Sequence, residues 1–101
     1  MRFSVDFDAI NRAALGALPV LLMRWVPDGR RQGREWVARN PTRNDRRPGS
    51  FSINLQTGRW ADFADSPNAK GCDVVSLYAY LRNIGQGEAA REFARLLGSN
   101  P

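Results

Sequence analysis

Residues 40–73, NPTRNDRRPGSFSINLQTGRWADFADSPNAKGCD, decide how this chain is read. Within them Phe51, Ile53 and Leu55 alternate with Ser52, Asn54 and Gln56, the period-two pattern of a strand buried on one face. Gln56-Thr57-Gly58 supplies a turn, and residues 59–63 form the partner strand. Ahead of the pair, residues 40–49 have no period and contain Pro41 and Pro48, which marks an arginine-rich loop. Behind it, residues 66–71 are loop. Asp73 then caps a helix over 74–83, because its carboxylate can accept the free N–H groups of the first turn.

The flanks follow from this centre. Val74, Leu77, Tyr78 and Leu81 share one face of the helix that Asp73 opens, and Gly85 ends it. A last helix spans 88–97, with Ala89, Phe93, Leu96 and Leu97 inward and Gly98 closing it. Upstream, Ser4 or Asp6 caps a first helix to about residue 18, with Phe7, Ile10, Ala14 and Leu18 near helical spacing. Pro19 stops that helix, since proline donates no N–H and disfavours helix in the residue before it. Residues 20–26 read as a strand, Pro27-Asp28-Gly29 as a turn, 30–34 as a solvated basic turn and 35–39 as a return strand. The expected order is helix, hairpin, hairpin, helix, helix. That is an α+β fold, a small antiparallel sheet packed against an N-terminal helix and two C-terminal helices.

Composition narrows the function. A chain of 101 residues is read as one domain, 1–101, able to bury roughly 60–68% of its unfolded surface. With 43% hydrophobic and 25% charged residues it is globular in composition. The formal net charge is +5, carried almost wholly by arginine, which suits bidentate phosphate contacts and base stacking. Cys72 is the only cysteine and there is no histidine. An internal disulfide, a Cys/His zinc site and histidine-dependent nucleophilic dyads are thereby excluded. No apolar run reaches the ~20 residues of a membrane span, and residues 13–23 lack the marks of a signal peptide, so the expectation is cytoplasmic and without membrane. The P-loop pattern is missing as well.

The central stretch resembles the zinc-ribbon domain of bacterial and phage DNA primases. The likeness rests on Pro48 to Phe51, the Thr57-Gly58 turn, the aromatic strand, Gly71 to Leu77 and the trailing Glu88-Ala89-Ala90 helix, and it covers about residues 37–97. In that family a Cys-x-x-His pair before the first strand and a Cys-x-x-Cys pair after the second hold one zinc. Here Asn40 and Arg43 stand at the first pair and Asp62 and Asp65 at the second. The resemblance therefore implies a degenerate, metal-free ribbon with no resident cofactor. In it Arg43 would bridge Asp62 or Asp65 and tie the loops that zinc would tie. Such a pair is worth far less than the ~10–16 kcal/mol apparent for structural zinc. Packing of Trp36, Phe51, Trp60 and Phe63 would then supply the difference. The alternatives are solvated surface charges at these positions, or a hard-cation site at Asp62, Asp65 and Asp73.

The resemblance also implies single-stranded DNA binding without catalysis. The chain would be an N-terminal accessory module of a primase or primase-helicase, acting as a monomer alongside a helicase or a primase catalytic domain. Single-strand binding needs cations along the backbone and exposed aromatic faces for bases. The cationic candidates are Arg39, Arg43, Arg46, Arg47, Arg59 and Lys70, with Arg46 where the family has a basic residue ahead of its strand. Trp60, and then Trp36, are the stacking candidates, against the commoner fate of a half-buried strand tryptophan. Arg30, Arg31 and Arg34 form a second basic cluster, read either as a contact or as a solvated hairpin tip. The rival reading is a protein-interaction module that docks a replication partner through alanine-rich helix surfaces at Ala79, Ala89 and Ala90.

Overall fold

Phe51 and Ile53 are fully buried on one face of strand β3 (Phe51–Asn54), and the sheet is arranged around that pair. In the computed structural model, residues 6–42, 50–64 and 69–96 are described. β1 (Arg30–Gln32), β2 (Glu35–Ala38), β3, β4 (Trp60–Asp62) and β5 (Lys70–Gly71) form an antiparallel meander in that order. Trp36 lies opposite Ile53, which lies opposite Trp60; Ala38 lies opposite Phe51, which lies opposite Asp62. Because successive side chains alternate between faces, these six share the inner face. Glu35, Val37, Ser52, Asn54, Ala61 and Lys70 occupy the outer face. The turn between β3 and β4 is held by Asn54, whose Oδ1 accepts from the Gln56 and Thr57 amides at 2.8 and 3.0 Å. Gly58 completes it at φ +80°, a conformation in which a Cβ would be strained.

Two helices, not one, precede the sheet: α1 (Phe7–Gly16) and α2 (Leu18–Trp25). The strand expected over 20–26 is therefore helix. Pro19 sits in the first turn of α2, where its missing N–H is not needed and its fixed φ suits the helix. Leu18, Leu22 and Val26 recur every four residues and are buried. The hairpin partner of β2 moves accordingly. Arg30–Gln32, expected as a solvated turn, is the edge strand β1, and Gly33 turns it at φ +62°.

The C-terminal half follows the sequence closely. Asp73 Oδ1 accepts from the Ser76 amide at 2.8 Å and opens α3 (Val74–Arg82). Asn11 of α1 accepts from the Val75 amide at 2.8 Å, so a second first-turn N–H is satisfied by a neighbouring helix. Asn83, in the left-handed conformation, ends α3 two residues before Gly85. α4 (Gln86–Leu96) turns Ala89, Ala90 and Phe93 inward. Leu96, expected inward, is exposed, and Leu97 lies outside the described residues.

Trp25, Tyr78 and Phe93 join α2, α3 and α4 through ring contacts of 4.8–5.5 Å. One buried cluster runs from Ala14 to Phe93. Each large apolar side chain in it contributes about 1.5–3 kcal/mol. The architecture is α+β, with helices before and after a single antiparallel sheet.

Gly71 gives a sharp test of inner-face packing. A Cβ there would overlap the Trp60 indole and the Ser76 hydroxyl, whereas one at Gly16 would meet nothing. Gly71→Ala is expected to cost about 1–3 kcal/mol in denaturant unfolding. Gly16→Ala should leave stability unchanged or raise it by up to about 1 kcal/mol.

Candidate nucleic-acid interface

Asn40 and Asp62, two of the four positions that the resemblance puts at zinc ligands, are both buried, at 1% and 0% exposure. Asn40 follows β2, Asp62 ends β4, and the central strand lies between them. Asn40 Nδ2 donates to Asp62 Oδ2 at 2.8 Å and to the Tyr80 hydroxyl of α3 at 2.8 Å. Its Oδ1 accepts from the amide and hydroxyl of Thr42 at 2.9 and 2.8 Å. Asp62 Oδ1 accepts from the Ala64 amide at 3.0 Å. The two loops are thus tied to each other and to α3 through an amide–carboxylate pair.

Arg43 and Asp65 lie outside the described residues, and so does the expected Arg43 bridge to Asp62 or Asp65. Asp73 is the cap of α3. Among the described residues no group of three or more His, Cys, Asp or Glu could hold a metal ion.

Trp60 is not a stacking platform. It is 5% exposed, its Nε1 donates to Ser76 Oγ at 3.0 Å, and its ring lies against Tyr80 with centroids 4.8 Å apart. Register is the reason: the residue opposite Ile53 must share the face of Ile53. Trp36 is half-buried on the same inner face, with its Nε1 donating to the Val26 carbonyl at 3.1 Å. The aromatic side chain that the sheet does present is Phe63, expected in the core and instead 69% exposed. Its amide donates to the Ser50 carbonyl at 2.8 Å, which continues the β3–β4 ladder by one step. Alternation along the strand places Arg59, Ala61 and Phe63 together on the outer face.

That face carries much of the remaining chemistry. Arg59 and Lys70 are exposed on it. A hollow of about 640 Å3 lies there, floored by Ser52 and Ala61 and walled by Glu35, Arg59, Phe63 and Lys70. The Glu35 carboxylate accepts from the Ser52 hydroxyl on one oxygen and from Asn54 Nδ2, at 2.8 Å, on the other. Arg39 follows in the outer register of β2 and is paired with Asp28, Nε to Oδ2 at 2.8 Å. Arg30, Arg31 and Arg34 are all exposed, with Arg31 Nε donating to the Gly33 carbonyl. Arg46 and Arg47 lie outside the described residues.

The alanines expected to form a docking surface are interior. Ala79, Ala89 and Ala90 are buried where α3 meets α4. Of the exposed apolar side chains on helices, Val20 and Met23 lie one turn apart on α2, at 58% and 62%, while Phe7 on α1 and Leu96 on α4 stand apart from them. Among the described residues no helix is long and apolar enough to cross a membrane.

Sequence reasoning missed Phe63 and Glu35. Counting the hairpin register outward from the Gly58 turn would have found the first. Asn54 opposite Glu35 and Ser52 diagonal to it are the trace of the second.

Two outcomes test this description. Asn40→Ala removes a donor from a buried carboxylate and is expected to cost about 1–3 kcal/mol in chemical denaturation. The hydrogen bond from Arg39 holds the Asp28 carboxyl below its ordinary value of 3.8. A depressed carboxyl stabilises the fold above that value and loses its contribution as pH falls through the folded one. Because the pair is largely exposed, Asp28→Asn should cost less than about 1 kcal/mol at pH 6, and the gap should close toward pH 2. No protein-family model matches this chain, and no curated protein or solved structure matches it.

Proposed function

We propose that the chain is a nucleic-acid-binding module that holds single-stranded DNA on the outer face of its sheet. In this reading it is an accessory domain of a primase or primase-helicase, works in the cytoplasm during DNA replication, and performs no chemistry itself. The observation that carries the reading is Phe63, 69% exposed on the sheet face that also carries Arg59 and Lys70. A large aromatic ring held in water costs free energy unless something covers it, and a base can stack on it whatever its identity. Cations on the same face can follow the phosphates, and the net charge of +5 favours such a partner over the whole surface. Among the described residues the four helices pack elsewhere, which leaves room on that side of the sheet for an extended strand. No resident metal is part of the reading, since the Asn40–Asp62 pair supplies a tie with neither thiolate nor imidazole.

A second reading has one observation in its favour. Val20 and Met23 form an apolar spot on α2 that would suit a protein partner such as a helicase. Charge introduced there, as in Val20→Glu with Met23→Glu, would abolish docking of that kind without touching the sheet.

Fluorescence anisotropy of labelled single- and double-stranded oligonucleotides at about 50 and 200 mM salt tests the first reading. Binding should favour the single strand and weaken steeply with salt. Phe63→Ala should weaken it roughly 5- to 150-fold, the equivalent of one stacked base. Each of Arg59→Ala and Lys70→Ala should reduce the magnitude of the salt slope by about 0.7. Absence of binding at low salt, or affinity indifferent to Phe63, would overturn it.

A further inference from the structure

Glu35 is out of place on a surface that meets phosphates. A carboxylate repels the backbone, and the other charged walls of its hollow, Arg59 and Lys70, are cations. Among the described residues no lysine or arginine pairs with it. It is nonetheless held firmly. Ser52 donates to Oε1 and Asn54 to Oε2, both from the neighbouring strand, so the carboxylate plane is fixed from below. An ionised carboxylate offers about four lone-pair sites, two per oxygen. With one on each oxygen taken by β3, each oxygen keeps capacity to accept one more donor.

From this geometry we infer that Glu35 selects guanine among unpaired bases entering the hollow, a deepening that rests on the single-strand reading above. Guanine alone among the four bases presents two adjacent donors on its pairing edge, N1–H and the N2 amino group. One of these donors can go to each oxygen of the carboxylate in a charge-assisted pair. Cytosine and adenine offer one amino donor beside a ring nitrogen whose lone pair the second oxygen would repel. Thymine offers one N–H flanked by two carbonyls. Single-stranded bases expose this edge for reading, which a duplex hides.

The rest of the hollow suits the same ligand. Ser52 and Ala61 leave the floor low enough for a flat base, while Arg59 and Lys70 stand where its phosphates can be met. Phe63 lies four residues beyond Arg59 on the same strand, about 13 Å along it, where a neighbouring base can stack. Glu35 thus supplies discrimination, and the cations and Phe63 supply affinity.

Four labelled thymidine 12-mers, with dT, dC, dA or dG at two central positions, test the inference by anisotropy with the intact chain. The dG oligomer should bind about 5- to 150-fold more tightly than all-dT, the range of a good bidentate base contact. Glu35→Gln, which keeps the shape and removes the charge and one acceptor, should bring that ratio close to one. Equal binding of the four by the unaltered chain, or a guanine preference that Glu35→Gln retains, overturns the inference and leaves the single-strand reading standing. Failure of all four to bind overturns both.

Discussion

The hydrogen bond from Asn40 to Asp62 is the constraint on which the sheet depends. It reaches across the end of the central strand, from the second residue after β2 to the last residue of β4, and takes Tyr80 of α3 into the same network. Leaving a carboxylate buried and unsatisfied would cost several kcal/mol, so the fold must deliver a donor to Asp62 wherever the chain places it. Register against Ile53 sets which way β4 faces, and Asn40 meets the carboxylate that this turns inward. With Asp62 inward, Trp60 is inward as well, and Arg59, Ala61 and Phe63 are turned out.

The two faces divide the work. The inner one is closed by Phe51, Ile53, Trp60 and the helices, and its glycine at position 71 makes room for the Trp60 indole. The outer one is left with small residues in the middle and charged or aromatic ones at the margins. A platform of this shape matches what an extended single strand requires: low relief under the bases, a ring to stack on and cations beside the phosphates. The proposed role as a replication module also draws on the resemblance to primase ribbons, which would put Asn40 and Asp62 at two of the ligand positions.

Much of this was legible in the residues themselves. The alternation of Phe51 and Ile53, and the capping chemistry of Asp73, act within a few positions and survive into the structure. Pro19 was ambiguous because the same ring that ends one helix also begins another, and only the burial of Leu18, Leu22 and Val26 settles it. β1 was hidden because Arg30, Arg31 and Gln32 are exposed together and leave no period to detect. That Phe63, and not Trp60, is the exposed ring was hidden for a different reason. Both are aromatic and lie in one strand, so choosing between them needs the cross-strand register, which tertiary contacts set. The hydrogen-bonded Glu35 belongs to the same class: its partners are 17 and 19 residues away.

The central claim is one of location, that nucleic acid lies on the outer sheet face. Amide chemical-shift mapping of the 15N-labelled chain, titrated with a short single-stranded oligonucleotide, tests it most directly. The account predicts perturbations centred on Ser52, Asn54, Ala61, Phe63 and Lys70, with the α2 amides around Val20 and Met23 unmoved. Shifts centred on the helices while the outer face stays silent would contradict it.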